Sequence, residues 1–363
     1  MKIGILTFYE SENYGTVLQA YALQKFLQDC GHDVEIIKAE RDVHGKGAHN
    51  KIEREKETFI DKVRIKLNSY LSKNQAVKKT EAFKDFRKKF INESSKAYSE
   101  DNKEWLDCYD LLISGGDQIW NPYHKVFSMK YFFENVKAKK ISFGSSFGTD
   151  DLSVEFLSKI KPCLLDYKAV SVREPSAVKL LESVLVSATS VLDPVFLLSK
   201  EQWLSLAKPE KPKKPYCLVY SLVDYTTADQ KAIKKYAKEN GLKVKIFPQN
   251  RKNLNNNFSK EFSASPEEFL SLIYNAERVF TNSFHGTAFS IIFNKQFSIL
   301  NPSNEAMRKK LVRITDLTSL LSFGDLDFME IKELDYQRAN EIIEEKTKNS
   351  KDFLLNNILR GEE

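Results

Sequence analysis

The amino-acid sequence predicts an α/β protein made of two Rossmann-like domains, each built on a parallel sheet. Strand-like and helix-like segments alternate over most of the 363 residues, which is typical of parallel sheets covered by helices. The alternation starts again after a Lys- and Pro-rich segment, LAKPEKPKKP at 206–215, whose composition is typical of an interdomain linker. A chain of this length is sufficient for two domains of ordinary size.

The first forty residues predict a βαβ unit, which implies a parallel sheet. KIGILTF at 2–8 is a short apolar run that predicts a buried strand, and DVEIIKAE at 33–40 predicts the next strand. Between them, TVLQAYALQKFLQDCG at 16–31 is rich in good helix formers and ends in Gly31. Glycine favours helix ends, so this segment predicts the connecting helix.

The excess charge of the chain lies in a predicted helical insertion at about 45–100 in the first domain. Residues 51–100 hold 14 Lys and Arg against 8 Asp and Glu, an excess equal to the net charge of +6. Apolar residues recur there at helical spacing, so each helix has one face to bury. The basic surface is either a solvated face, which we favour, or a surface that contacts an anionic membrane. The rest of the chain is neutral and does not indicate a nucleic-acid partner.

Strands and helices alternate again after the insertion and after the linker. In the first domain (1–205), the predicted strands are 109–116, 139–148 and 169–174, with helices at 152–167 and 175–183. In the second domain (206–363), the predicted strands are 216–222, 242–248, 278–283 and 296–300, with helices at 227–241, 265–277 and 287–294. The last stretch, 334–359, predicts surface helices that pack back on the first domain.

Composition also limits the class of protein. No run of about 18 apolar residues is present, so we expect no transmembrane helix. The start, MKIGILTFYESENYG, lacks the basic and apolar regions of a signal peptide. The four cysteines are widely spaced without a CxxC pair, which is typical of reduced thiols and not of a disulfide framework or a zinc site. These features predict a cytoplasmic protein with no bound metal.

Ligands of open α/β sheets bind outside the carboxyl ends of the strands, so every loop that follows a predicted strand is a candidate site. In the first such loop, Asn13, Tyr14 and Gly15 precede a helix, where backbone N–H groups attract anions; an ordinary turn is the alternative. The loop SGGDQIWNP at 114–122 crowds polar and aromatic groups beside two glycines. Its candidate ligand-binding residues are Ser114, Gly115, Gly116, Asp117, Gln118, Trp120 and Asn121.

Two further strand-end positions carry chemically useful side chains. Arg173, followed by Glu174, ends a predicted strand, where its guanidinium could bind a carboxylate or phosphate; a surface ion pair is the alternative. His285 lies in TNSFHGTAFSIIFNK at 281–295 and is one of five histidines in the chain. Its neighbours Ser283, Gly286 and Thr287 are small or polar, which argues against a core position. Histidine exchanges protons near neutral pH, so we expect an acid or base here and not a helix cap.

Taken together, these segments resemble the polysaccharide pyruvyl transferase family. The segments that carry the resemblance are KIGILTF, NYGTVLQAYALQKFL, LLISGGDQIWNP, AVSVRE and TNSFHGTAFSIIFNKQF, in that order, from residue 1 to about 320. The NYG-x-x-LQAYAL and S-x-HG-x-x-FS-I-x-F patterns are specific as a set. The resemblance implies a GT-B-like arrangement of two Rossmann-like domains. It also implies transfer of a pyruvyl group from phosphoenolpyruvate, with no further cofactor, onto a sugar of a cell-surface polysaccharide precursor as a ketal.

The resemblance also implies roles for particular residues. The histidine before glycine corresponds to His285 as acid or base, the strand-end arginine to Arg173 as an anion clamp, and the acidic residue after the glycines to Asp117. Some family members have an arginine where this chain has Ser283. The residues that could replace that arginine are Arg173, Lys295, Arg308 and Arg313.

Two other functions remain alternatives at this point. A GT-B glycosyltransferase that uses a nucleotide sugar would share the fold and could also use a strand-end histidine. A non-catalytic carbohydrate-binding protein could hold sugar with Trp120 and Asp117. For the family's reaction, the acceptor saccharide could be lipid-linked, in which case the basic insertion would contact the inner face of the membrane.

Overall fold

The structure, a computed structural model, describes residues 1–40, 59–247, 258–303, 311–323 and 329–359, except for the side chains of 59–73 and 359. Arg308 and the first part of the predicted insertion therefore lie outside the described residues. Contacts divide the chain into two compact units. The first unit comprises Met1–Lys46, Arg87–Leu198 and Gln337–Glu363, and the second comprises Gly47–Phe86 and Ser199–Tyr336.

The first unit is built on a five-stranded parallel sheet with the order β3-β2-β1-β4-β5. Its strands are β1 (Lys2–Leu6), β2 (Asp33–Ala39), β3 (Glu93–Tyr98), β4 (Leu111–Ser114) and β5 (Lys140–Ser142), followed by the short parallel pair β6 (Ser171–Val172) and β7 (Thr189–Ser190). The register places Ile5 of β1 beside Ile36 of β2 and Ile113 of β4. All three side chains are fully buried, as expected for a sheet covered on both faces.

The second unit repeats this arrangement with the order β10-β9-β8-β11-β12, again entirely parallel. Its strands are β8 (Tyr216–Tyr220), β9 (Lys243–Phe247), β10 (Ser259–Lys260), β11 (Arg278–Thr281) and β12 (Gln296–Ile299). Val279 of β11 pairs with Leu218 of β8 and Phe297 of β12. In both units the second and third strands lie on one side of the first strand, and the fourth and fifth strands lie on its other side, which is the Rossmann-like topology.

Helices connect the strands, and several of them begin at a side chain that caps their backbone. They are α1 (Tyr14–Asp29), α2 (Phe59–Phe90), α3 (Val154–Leu165), α4 (Pro175–Glu182), α5 (Lys200–Ala207), α6 (Thr227–Glu239), α7 (Pro266–Tyr274), α8 (Phe284–Ile292), α9 (Val312–Leu320) and α10 (Gln337–Leu359). Asn13 caps α1 by accepting hydrogen bonds from two backbone N–H groups. Ser265 and Glu268 form a reciprocal capping box on α7, as the residue pattern predicts.

The predicted fold class, α/β with parallel Rossmann-like sheets, is confirmed, and the differences concern individual elements. The strand predicted at 139–148 ends at Ser142, because Gly144 turns the chain with a φ of 62°. The helix predicted at 287–294 begins earlier, at Phe284. Strands β3 and β10 are short and rich in polar residues, so apolar periodicity did not indicate them.

The units differ from the predicted domain boundaries in three places. The predicted boundary at 205/206 falls inside α5, because the Lys- and Pro-rich segment begins before that helix ends. The insertion is a single helix from residue 59 onward, and the contacts group it up to Phe86 with the second unit. Helix α10 belongs to the first unit, where the Ser350 hydroxyl accepts from the Leu192 backbone N–H at 2.9 Å.

Candidate functional site

In each sheet the strand order reverses beside the first strand, between β1 and β4 in the first unit and between β8 and β11 in the second. Such a switch point leaves a crevice at the carboxyl ends of the two strands, because their connections leave in opposite directions. The loops that begin at Thr7 and Gly115 meet at the first switch point. The loops that begin at Ser221 and Asn282 meet at the second. Of the sequence-predicted residues, Asp117 lies in the loop that begins at Gly115, and His285 lies in the first turn of the helix that follows Asn282.

Asp117 is held at the first switch point in a left-handed backbone conformation, with a φ of 64°. This conformation is unfavourable for residues other than glycine, and at a ligand-binding edge it often accompanies function. The Thr16 hydroxyl donates to one carboxylate oxygen at 2.6 Å, and the Gln118 backbone N–H donates to the other at 2.9 Å. The carboxylate is therefore oriented by the first turn of α1, although it remains buried at 6% exposure.

Gln19 contacts the residues that support this loop, and the sequence analysis did not identify Gln19 as part of the site. Its side-chain nitrogen lies 3.0 Å from the Thr7 hydroxyl and 3.0 Å from the backbone oxygens of Phe8 and Thr16. The Thr7 hydroxyl in turn donates to the Gly116 carbonyl at 2.9 Å. A Cβ at Gly116 would lie 2.7 Å from the Gln19 side-chain oxygen. Close packing therefore requires a glycine at position 116. The sequence did not reveal the role of Gln19, because a single polar residue within a helical run does not indicate a buried contact.

A cavity of about 480 Å³ opens beside the amino end of α1 in the first unit. Its lining includes Phe8, Asn13, Thr16, His124 and Lys125. The rings of Phe8 and His124 are stacked with their centroids 4.9 Å apart. Aromatic faces combined with a few polar groups are typical of small-molecule sites, and Thr16 links this cavity to Asp117.

Arg173 lies in a buried network of charges. Its guanidinium donates to Asp193 at 2.7 Å and to the Ser146 hydroxyl at 2.9 Å, and it contacts Glu174 at 3.3 Å. Burial lowers the pKa of Arg173, whereas the nearby carboxylates of Glu174, Asp193 and Asp117 raise it. The effect of the carboxylates is the larger, so the pKa of Arg173 is raised. Two carboxylates already compensate one guanidinium, which favours a structural role over the predicted anion clamp.

Trp120 corrects the sequence interpretation, which made it a platform for a sugar ring. The indole is fully buried, and its N–H donates to the Tyr131 carbonyl at 3.1 Å. It stacks on Phe132 at a centroid distance of 5.0 Å and also contacts Phe147 and Tyr167. A ring enclosed in this way cannot contact a sugar, so Trp120 is a core residue of the first unit.

Several other predicted binding residues have their polar groups engaged inside the protein. The Ser114 hydroxyl donates to the Tyr131 carbonyl at 2.8 Å, and the Asn121 side chain donates to the Gln118 side-chain oxygen at 2.8 Å. Thr287 donates to the Ser283 carbonyl at 3.1 Å. The other buried members of the predicted set are Tyr14, Gly15 and Gly115. Their contacts favour roles in shaping the loops and not direct recognition.

His285 lies in the first turn of α8, immediately after the carboxyl end of β11. Ser283 caps the helix by accepting from the Gly286 backbone N–H at 3.3 Å. The imidazole contacts the edge of Phe284 and is largely buried, with 5% exposure. The sequence interpretation is thus correct that His285 lies at a strand-to-helix junction and does not cap the helix, since the cap is Ser283. The expected position outside the core is wrong, because His285 is buried together with its neighbours in the first turn of α8.

Close packing at Gly286 fixes where His285 lies. A Cβ at Gly286 would lie 2.4 Å from the Thr281 hydroxyl and 2.9 Å from the Tyr220 ring. Asn282 fixes the neighbouring loop, because its side-chain oxygen accepts from the Leu222 backbone N–H at 2.9 Å. The junction that carries His285 is therefore rigid.

Lys295 cannot replace the arginine that is absent at Ser283. It directly precedes β12, so it lies at the amino edge of a sheet whose carboxyl edge carries His285. The parallel pairing of β11 and β12 places these two edges at opposite ends of the strands. Arg313 lies in α9 and stays a prediction for this role.

A model of the polysaccharide pyruvyl transferase family matches residues 13–304. The chain belongs to this family. The match includes Asn13, Asp117 and His285, and thus both switch points. None of the curated proteins compared matches the sequence.

Similar solved structures support the GT-B-like fold of this family member. A UDP-GlcNAc 2-epimerase from Methanocaldococcus jannaschii is 11% identical, with a TM-score of 0.52 over 95% of this chain and 92% of that one. The enzyme from Neisseria meningitidis, bound to UDP-GlcNAc, is 11% identical with a TM-score of 0.50 over 99% and 100% of the two chains. At this identity the likeness concerns the fold alone.

Neither a metal-binding cluster nor a membrane-spanning helix is present among the described residues. No group of three or more His, Cys, Asp and Glu side chains among them is arranged to hold a metal ion. Within the same described part of the chain, no helix has the length and apolar character needed to span a membrane.

Proposed function

We propose that the protein transfers a pyruvyl group from phosphoenolpyruvate to a saccharide acceptor and forms a pyruvate ketal. The observation that carries this proposal is the family match, which includes the residues at both switch points. The acceptor is a sugar of a cell-surface polysaccharide precursor. The reaction takes place in the cytoplasm, where phosphoenolpyruvate is the donor and no further cofactor takes part.

The chemistry requires one proton donor, one proton acceptor and a site for anions. A proton added to the methylene carbon of phosphoenolpyruvate makes a methyl group and leaves positive charge on the carbon that carries phosphate. A sugar hydroxyl attacks that carbon and loses its proton, the C–O bond to phosphate breaks, and a second hydroxyl closes the ketal. Of the two hydroxyl protons, one replaces the proton given to the methylene carbon and the other leaves on phosphate, so the reaction is balanced.

His285 is the group that we assign to the donor. Its position in the first turn of α8 combines a titratable imidazole with the partial positive charge of a helix start. The imidazolium delivers the proton to the methylene carbon, and the helix N-terminus favours the anionic donor. The rigid packing around Gly286 keeps the ring in one place, which lowers the entropic cost of reaching the reactive geometry.

Asp117 is the group that we assign to the acceptor hydroxyl. One carboxylate oxygen accepts from the hydroxyl of Thr16, a residue that also lines the cavity of the first unit. That cavity, with stacked Phe8 and His124, has the size and aromatic wall suited to a sugar ring. Asn13 and Gln118 border the acceptor, whereas Arg173 positions the loop without touching substrate.

The basic segment of α2 is a solvated face in this proposal. The residues in its last turn are Arg87, Lys88 and Lys89, and the apolar side chains Phe83 and Phe86 are buried. A helix that docks on a membrane needs an apolar face free to enter the lipid. A lipid-linked acceptor would therefore have to reach the protein without help from this part of the helix.

The decisive experiment combines phosphoenolpyruvate with a panel of nitrophenyl and lipid-linked glycosides. We expect acceptor-dependent release of inorganic phosphate and an acceptor whose mass increases by one pyruvate ketal. His285→Gln and Asp117→Asn should each lower kcat by about 100-fold or more, in line with loss of general acid–base catalysis. The matched control His32→Gln, which alters a histidine outside both switch points, should leave kcat unchanged.

Two outcomes would replace the proposal. Release of a nucleoside diphosphate from a nucleotide sugar, without consumption of phosphoenolpyruvate, would make the protein a glycosyltransferase. Sugar binding without turnover of either donor would make it a carbohydrate-binding protein.

A further inference from the structure

A second cavity, of about 440 Å³, lies in the second unit at the edge of the sheet opposite His285. Three of its lining residues, Pro215, Glu277 and Lys295, directly precede β8, β11 and β12. Because these strands are parallel, their amino ends form one edge of the sheet. The proposed reaction does not use this edge, so the cavity requires a separate explanation.

The lining of this cavity is strongly cationic. Lys200, Lys211 and Lys295 contribute three ammonium groups, and Glu277 is the single acidic residue among the lining side chains. None of the three ammonium groups forms an ion pair with a carboxylate of the described residues. The lining therefore carries a net charge of about +2 near neutral pH, the charge that a dianion would neutralise.

Lys295 lies where its positive charge is disfavoured by the surrounding protein. It is half-buried, with its ammonium 5.5 Å from the centre of the Tyr274 ring. Burial lowers the pKa of Lys295, the opposing effect of Glu277 raises it, and the nearby Lys200 lowers it again, so the net shift is downward. An anion in the cavity would replace the lost hydration and relieve the repulsion between the two lysines.

The wall beside the lysines is apolar and rigid. The Tyr274 and Phe293 rings meet edge to face with their centroids 5.6 Å apart, and Pro212 and Pro215 also line the cavity. The Asn275 side chain donates to the backbone carbonyls of Glu210 and Ser271, which fixes the end of α7 against the preceding loop. A ligand would meet a preformed surface and not a flexible one.

We propose that this cavity binds a phosphate dianion, with an apolar group on the phosphate contacting Tyr274 and Phe293. Lysine binds phosphate as a point charge and can approach it from several directions. Three such charges around one aromatic wall suit an organic phosphate better than a bare anion. Both an organic phosphate and free inorganic phosphate carry this dianion. They differ in that only the organic phosphate has a group that can contact the aromatic wall.

The test is calorimetric titration of the full-length protein with phenyl phosphate and, separately, with inorganic phosphate. We expect both to bind and phenyl phosphate to bind more tightly, because only it contacts the aromatic wall. Lys295→Gln and Lys200→Gln should each weaken phenyl phosphate binding by about tenfold or more, through loss of a charge-assisted contact. Lys235→Gln is the matched control, since that lysine is 76% exposed on α6 and its substitution should leave the affinity unchanged.

The variant His285→Gln tests whether phenyl phosphate binds at the proposed catalytic residues or in this cavity. The phenyl phosphate affinity should survive that substitution, whatever becomes of pyruvyl transfer. Equal affinities in the wild type, Lys200→Gln and Lys295→Gln would overturn the proposal, as would the absence of any saturable binding. Tighter binding of inorganic phosphate than of phenyl phosphate would overturn the apolar contact. Circular dichroism of each variant verifies that it is folded.

Discussion

Arg173 connects three parts of the first unit through one side chain. Its guanidinium contacts Glu174 at the start of α4, Ser146 in the loop after β5 and Asp193 at the start of a 3-10 turn. Ser146 also accepts from the Gly148 backbone N–H at 3.0 Å. Because Asp193 is only 1% exposed, loss of the arginine would leave buried carboxylates close together, and such losses are costly.

We therefore predict that Arg173→Gln destabilises the protein by about 3 kcal/mol or more, the usual cost of breaking a buried ion pair. The midpoint of thermal unfolding should fall by about 6 °C or more for a unit of this size. Arg173→Lys should recover only part of the loss, since an ammonium lacks the planar fork of donors. Differential scanning calorimetry provides the measurement.

The control for this prediction is Arg338→Gln, which removes an exposed arginine on α10 and should change stability by about 0.5 kcal/mol at most. If Arg173→Gln melted like the wild type but raised KM for phosphoenolpyruvate, the anion clamp suggested by the sequence would be right after all.

At this level of detail, the sequence identified positions better than it identified roles. His285 and Asp117 stood out because polar residues followed apolar strands, and the structure has both at strand ends. Of the two carboxylates that Arg173 contacts, Glu174 is its neighbour in the sequence, whereas Asp193 lies 20 residues away, and no local pattern indicates that second pairing. Trp120 was assigned to the surface because its loop neighbours are polar, whereas packing against Phe132 buries it.

Helix α8 follows β11 with almost no connecting chain, which is why glycine occupies position 286. The helix starts only three residues after the strand ends, so its first turn is pressed against Thr281 and Tyr220. Ser283 and Thr287 then bond within the same turn. The polar residues that marked the segment in the sequence thus build the junction between strand and helix.

Gly286→Ala should destabilise the second unit by about 1–3 kcal/mol, because a Cβ 2.4 Å from the Thr281 hydroxyl forces the helix or the strand to shift. The same shift would move His285, so kcat should fall even though no reacting group is removed. In a Thr281→Ala background the added cost should be smaller, since the hydroxyl nearest to the new Cβ is absent. Strictly additive losses in this double-mutant cycle would contradict the close contact.

A helix or strand was predictable from the sequence where apolar periodicity and capping residues indicate the same element. It was not predictable where the element forms only because it pairs with a strand elsewhere in the chain. Helix α7 begins at its predicted Ser265 cap, since Ser, Pro and Glu at the start are a local signal. Strand β3 has the polar sequence ESSKAY and forms because β2 offers a free edge. The early start of α8 was missed because Phe284, His285 and Gly286 are not a typical helical pattern.

At the scale of the whole molecule, the excess of Lys and Arg in residues 51–100 either faces solvent or binds an anionic membrane. The net charge of +6 equals the excess in residues 51–100, and most of these residues belong to α2. In the part of α2 whose side chains are described, Lys79 and Lys89 lie over the rings of Phe83 and Phe90. Their ammonium groups thus contact aromatic rings of the same helix, and Lys88 and Lys89 are exposed to solvent, which is the arrangement of a solvated face.

We accordingly predict that the protein does not bind membranes specifically. In co-sedimentation at physiological salt, the fraction bound to vesicles with anionic lipid should equal the fraction bound to neutral vesicles. At low salt a small excess on anionic vesicles is expected, since exposed charges act over about 30 Å at 0.01 M, and it should disappear when Lys88 and Lys89 are replaced by glutamine. Salt-resistant binding to anionic vesicles would instead show that apolar groups enter the lipid, and the basic segment would then be the docking surface for a lipid-linked acceptor.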